Sequence, residues 1–233
     1  MGRVRVLLIS KKMLFIILVV INVIFFLAWF NLKDVETTFS GTVYRPIVVI
    51  DPGHGGVDSG AVFENIMEKD ITLDISLHIR DLLQKKDIPF VLTRESDIDL
   101  GGELTKGRHK RDLLARRQII NQGKIAVSIH VNTIDDHREE GAVVFYAEGS
   151  KEGEKLATSI LNELGKIQKL NYHQPIPRSN LFLLRTSTPP MVLVELGFIS
   201  NKEDRVKLLN SDFRKKCAQA IVQGIQVYLE TII

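Results

Sequence analysis

The sequence predicts a single α/β domain, with a central twisted sheet of about six strands, mostly parallel or mixed, flanked by helices and preceded by one transmembrane helix. Three observations predict it. From residue 45 onward, short runs rich in Val, Ile and Leu alternate with longer runs of helical periodicity. The 233 residues are 45% hydrophobic, enough for one domain with a sizeable core and too apolar for a disordered chain. One long apolar run stands ahead of everything else.

That run, Met13 to Leu32, has only Asn22 and Asn31 as polar members among its 20 residues. At about 1.5 Å per residue, a helix of that length spans the roughly 30 Å hydrocarbon core of a bilayer. Arg3, Arg5, Lys11 and Lys12 precede it, and Trp29 stands near its far end as an interfacial aromatic. The expected organisation is a cytoplasmic basic segment over 1–12, a signal anchor over 13–32, a polar linker over 33–44 and one domain over 45–233. A cleaved signal peptide is the competing reading. The run is longer than the usual apolar core of about 7–15 residues, and no small-x-small site follows it.

Charge agrees with this division. The formal net charge is +3, and the first 44 residues, with five basic and two acidic side chains, account for all of it. The rest is formally neutral, which removes the main support for a nucleic-acid partner. Cys217 is the single cysteine and falls in an apolar helical stretch, so it is read as a buried small hydrophobe.

The elements follow in order. PIVVID (Pro46 to Asp51) reads as a buried strand, and Lys69 to Lys85 as a helix with Ile71, Ile75, Ile79, Leu82 and Leu83 on one face. PFVLTR (Pro89 to Arg94) is a strand, followed by a basic helix near Asp112 to Gln122. IAVSIHVN (Ile125 to Asn132) and GAVVFYAE (Gly141 to Glu148) are strands, and Glu152 to Gln168 is a helix. NLFLLR (Asn180 to Arg185) and MVLVELGF (Met191 to Phe198) are strands, and a helix pair closes the chain from Lys202 to Ile232. In such folds the ligand site lies at the carboxyl ends of the strands.

Three strand ends carry unusual residues. The first runs into DPGHGGVDSGA, with His54 among glycines; the third contains His130; the last contains Glu195 in an otherwise apolar run. Glu68 opens the helix after the glycine loop. A charge inside an apolar strand is costly unless it is paired or bound to metal. Two histidines and a carboxylate are the usual protein ligands of a catalytic zinc, and a water attacking there needs a base. His54, Glu68 and His130 are the candidate ligands, and Glu195 is the remaining acidic candidate. Taken singly, each has a plainer explanation: a hydrogen-bonded core histidine, a buried ion-pair partner or a phosphate-binding glycine loop. The phosphate explanation fails, because neither the dinucleotide spacing nor the P-loop lysine is present. His78, His109, His137 and His173 are read as surface or packing residues, His109 and His137 in polar loops.

The ordered strings IVVIDPGHGGVDSGA, EKD, SIHVN and LVELGFISN resemble the third family of bacterial zinc-dependent N-acetylmuramoyl-L-alanine amidases, over about Pro46 to Tyr228. The resemblance implies that His54, Glu68 and His130 hold one zinc ion and that Glu195 is the catalytic acid/base. A subsidiary pattern matches at Leu113, Arg116 and Asn121 and implies a stabilising role. Val131 departs from the alanine common after the histidine. With no lid-like insertion after Gly149 and no wall-binding module in view, the layout is similar to the germination-specific amidases of spore formers.

The expected activity is cleavage of the amide between the lactyl group of N-acetylmuramic acid and L-alanine of the stem peptide, in spore cortex maturation for germination. The expected place is the outer face of the cell membrane or the forespore intermembrane space. Peptidoglycan is the expected substrate partner, a muramic acid deacetylase the functional one, and a monomer the default state. Arg185 and Asn132 are candidate substrate contacts. The loop from Glu95 to Arg111, with Lys106, Arg108, Lys110 and Arg111, is either solvated surface or a rim for an anionic polymer. A vegetative wall amidase, a zinc carboxypeptidase on the same residues and a non-catalytic wall-binding regulator are the alternatives.

Overall fold

The structure, a computed structural model, describes residues 48–231, together with residues 12, 13, 17 and 19–22, which are helical. The chain divides into two compact units, Met1–Tyr44 and Arg45–Ile233. Among the described residues no helix is long and apolar enough to cross a membrane. The remainder of the 13–32 run, the segment before Lys12 and the 33–44 linker lie outside the described residues.

In the second unit the strands are β1 (Val48–Pro52), β2 (Val62–Phe63), β3 (Ile66–Met67), β4 (Phe90–Leu92), β5 (Ile125–Asn132), β6 (Val143–Ala147), β7 (Ile176–Arg178) and β8 (Met191–Phe198). The helices are α1 (Glu68–Lys85), α2 (Arg108–Ile120), α3 (Lys151–Leu164), α4 (Phe182–Thr186), α5 (Lys202–Leu209) and α6 (Ser211–Glu230). Six strands form one mixed sheet in the order β4-β1-β5-β8-β6-β7, and β2 with β3 makes a separate hairpin. The first four run parallel; β6 is antiparallel to β8 and parallel to β7. The expected α/β class with about six strands holds.

Strand alternation divides the core between the two faces. Val48 and Ile50 of β1, Val127 and Ile129 of β5 and Val192 and Val194 of β8 pack with α1, α3 and α6. Val49, Ala126, Met191 and Leu193 point the other way, towards α2 and α4. On the first face α3 and α6 approach so closely that a Cβ on Gly224 would lie 2.6 Å from the Ile160 Cα. Cys217 is buried there, as read.

Two expectations are corrected. NLFLLR is not a strand: Phe182–Thr186 is a short helix, with Leu183 and Leu184 both buried. Adjacent residues of a strand face opposite ways, whereas one helical turn buries both towards the same cluster. The sheet edge goes instead to Ile176–Arg178, where Pro177 is tolerated because an outer strand needs fewer donors. The basic helix begins at Arg108, so His109 lies on α2 and not in a loop. The charged loop before it is tied to itself. Arg111 donates to the carbonyls of Gly101, Glu103 and Lys106, and Arg108 pairs with Asp99. Two of the four rim cations are thereby spent on shaping their own loop.

Candidate metal centre

β1 ends in a turn that places His54 in the left-handed region, at φ 61°. Few residues other than glycine adopt that conformation, although His, Asn and Asp do so more often than most, and it persists where surrounding contacts dictate it. Those contacts are present: Arg116 Nη2 donates to the His54 carbonyl at 2.5 Å, and Arg116 Nη1 to that of Pro52 at 2.7 Å. Arg116 is itself held by Asp112 and Asp51, and Asp51 also accepts from the hydroxyls of Ser128 and Thr93. Burial pushes the Asp51 carboxyl up, but Arg116 and the two hydroxyls outweigh it and hold Asp51 below its ordinary range.

Glu68 is the first residue of α1 and is 4% exposed. Its Oε1 accepts from Val131 N at 2.9 Å and lies 2.9 Å from His130 Nδ1; its Oε2 accepts from Ala61 N at 2.8 Å and lies 3.2 Å from His54 Nε2. Burial opposes ionisation of Glu68, but its bonds to His130 and His54 prevail and hold it well below the usual carboxylate range. The two imidazoles meet edge to face, with ring centroids 5.0 Å apart. Ligand atoms of His54, Glu68 and His130 all lie within 4.8 Å of one another. On its other side His54 Nδ1 is 3.0 Å from Asp58 Oδ2. Burial alone would lower the His54 pKa, yet Asp58 and Glu68 push it up to about 10, so without metal the ring carries a proton with which a cation competes.

Two nitrogens and one carboxylate converge, with His54 backed by Asp58 and Glu68 by two backbone N–H groups, and make a donor set that suits zinc. The residues fit the ion. Glu195 stands beside them, because β5 and β8 pair in a register that sets His130 opposite Glu195. Its Oε2 is enclosed and has no hydrogen-bond partner. Burial pushes its carboxyl up to about 7, with Glu68 adding to the shift and the two histidines opposing it. A carboxyl poised near neutrality can both accept and return a proton.

Four sequence-predicted residues are therefore brought together. The other two are not shown to join them. Asn132 accepts through Oδ1 from the next residue, Thr133 N, and Arg185 lies exposed on α4 instead of at a strand end. Sequence reasoning missed Asp58, four residues after His54, and the buried Arg94. A basic residue closing the apolar run FVLTR was the available signal for Arg94, since a buried guanidinium must find acceptors.

A family model described as N-acetylmuramoyl-L-alanine amidase matches residues 48–227. The germination-specific N-acetylmuramoyl-L-alanine amidase of Bacillus subtilis is 34% identical over 223 residues, covering 94% of each chain. Among solved structures, the CwlD amidase of Clostridioides difficile in complex with the GerS lipoprotein is 33% identical, with a TM-score of 0.74 over 79% of this chain and 98% of that one. The catalytic domain of the amidase CwlV from Bacillus (Paenibacillus) polymyxa is 28% identical, with a TM-score of 0.68 over 79% and 98%.

Proposed function

The chain belongs to the N-acetylmuramoyl-L-alanine amidase family, and from that premise we propose that it cleaves the lactyl–L-alanine amide of peptidoglycan with zinc held by His54, Glu68 and His130. The observation that carries this is the cluster of three ligand atoms within 4.8 Å beside an enclosed, unpartnered Glu195 Oε2. Bound there, zinc supplies Lewis acidity towards the amide carbonyl and activates water. Glu195 removes a proton from the attacking water as its oxygen adds to the lactyl carbon. When the C–N bond breaks, Glu195 returns that proton to the departing amine of L-alanine; the lactyl carboxyl left behind ionises, its proton passing to the freed amine or to solvent, and the stem peptide is released. Asp58 lies against the far side of His54, and two backbone N–H groups hold Glu68.

The substrate is read as spore cortex peptidoglycan, by similarity to the germination-specific B. subtilis relative, with a muramic acid deacetylase acting on the peptide-free product. The 13–32 run is read as an anchor that keeps the domain on the outer face of the membrane or in the forespore intermembrane space; its apolar length and basic flank support this. The test is digestion of purified peptidoglycan by the purified chain, followed by mass spectrometry. Peptide-free glycan and intact stem peptides with a free L-alanine amine are expected, with activity abolished by a chelator and restored by zinc. Release of a terminal amino acid, or cleavage unaffected by the chelator, contradicts the reading.

A further inference from the structure

Arg94 is among the largest fully buried side chains, at 2% exposure, and among the described residues no carboxylate forms an ion pair with it. Burial and the neighbouring Arg116 push its pKa down to about 10, so it remains charged at neutral pH. A buried charge with no carboxylate in direct contact is costly unless its donors find other acceptors. Each of its three nitrogens donates, and all to neutral oxygens. Nε donates to Pro52 O at 3.1 Å and Nη1 to Ser96 O at 3.1 Å; Nη2 reaches Gly53 O at 2.8 Å, Lys69 O at 2.9 Å and Thr72 Oγ1 at 3.2 Å.

The identity of these acceptors is the informative point. Gly53 immediately precedes His54, and Lys69 immediately follows Glu68. One guanidinium nitrogen thus spans the two backbone segments that carry the two candidate ligands. Thr72, one turn into α1, closes the same junction, its hydroxyl lying 2.9 Å from Gly53 O and 3.1 Å from Lys69 O. The Arg94 stem also lies under the far side of the turn, where a Cβ on Gly55 would meet its Cδ at 2.9 Å.

We propose that Arg94 is a positioning residue that, with Thr72, fixes the separation and orientation of His54 and Glu68 by clamping the carbonyls of Gly53 and Lys69. The proposal rests on the metal reading of the site. Only a planar fork with five donors can serve acceptors on three segments at once; a lysine ammonium is a compact charge on a flexible stem and cannot span them. The clamp acts on the ligands through the backbone and touches neither substrate nor metal.

The test is metal affinity separated from stability. Zinc dissociation constants are measured by chelator competition for the metal-free native chain, Arg94→Lys, Thr72→Val and Gly224→Ala. Thermal unfolding of each metal-free protein and the visible spectrum of each cobalt(II) derivative are recorded alongside. Arg94→Lys is expected to bind zinc about 10–100-fold more weakly, as when support behind a ligand is lost, and to give an altered cobalt spectrum. Thr72→Val, nearly isosteric, is expected to show a smaller loss in the same direction. Gly224→Ala is expected to lose stability with zinc affinity and spectrum unchanged. Native zinc affinity and an unchanged cobalt spectrum in both Arg94→Lys and Thr72→Val overturn the clamp, whatever their stability. If Arg94→Lys does not fold, Thr72→Val decides alone. Failure of the native chain to take up zinc refutes the metal reading instead, so the two failures are distinguishable.

Discussion

The central strands β1, β5 and β8 are apolar along their first halves and carry polar residues in their second, and the two halves are held by different physics. Val48 to Ile50, Ile125 to Val127 and Met191 to Val194 are all buried and pack in the two hydrophobic clusters on either face of the sheet. Directly after these stretches stand Asp51, Ser128 and Glu195, with His130 two residues beyond Ser128. In the first half, burial of apolar area is itself the stabilising term, and a poor fit costs stability. At the second, each buried polar group needs a specific partner, and the partners form one network from Asp112 through Arg116 and Asp51 to Ser128 and Thr93. Glu195 is the strand-end carboxylate that this network leaves with a buried oxygen unpartnered. The region that stabilises and the region of the candidate site are thus segments of the same strands.

Two glycines make that comparison breakable. A Cβ on Gly53 would lie 2.7 Å from both ring nitrogens of His130. Gly53→Ala should therefore displace the imidazole and weaken zinc binding by about 10-fold or more, in the range seen when ligand orientation is lost. Isothermal titration of the metal-free protein checks it, and native affinity would show that the polar end adapts as easily as the core. Gly224→Ala instead pushes α6 off α3. About 1–3 kcal/mol of stability should be lost by overpacking, measured by denaturant unfolding.

A smaller effect sharpens the contrast at low pH. Asp51 is held below its ordinary range in the fold, so its contribution is fully present above the unfolded value of about 3.9 and is lost as pH falls through the folded value. The metal-free chain should lose stability below about pH 4 partly through this group, and Asp51→Asn should be less stable at neutral pH with a shallower acid dependence. Identical acid profiles for both proteins would show that the network under the site carries no such linkage.

Much of the domain is legible in the sequence because strand and helix periods differ. The β-rich runs ending at Asp51, Asn132 and Phe198 gave the parallel core, and the helical face of Ile71, Ile75 and Ile79 gave α1. The segment 180–185 misled because a six-residue run with adjacent leucines fits a buried strand or one helical turn equally, and tertiary packing chose the turn. Of the site, His54, His130 and Glu195 stood out as polar residues at or within apolar strands and Glu68 as the acidic residue opening the next helix, and the ordered motifs resembling the amidase family gave them their roles. Asp58 and Arg94 were not, because their roles are set by what they meet after folding: Asp58 touches His54 through a turn, and Arg94 joins segments about 40 and 25 residues away in sequence. The +3 of the whole chain had the least to say about the site, since it belongs to the first 44 residues.

The central claim is that three residues hold the metal while Glu195 moves the proton, and zinc content measured together with turnover on peptidoglycan tests it most directly. For Glu195→Gln the account predicts one zinc retained per chain and turnover reduced by about 10²–10⁴-fold, while His130→Ala loses the metal with the activity. Near-native turnover by zinc-loaded Glu195→Gln, or a full zinc complement in His130→Ala, would contradict it.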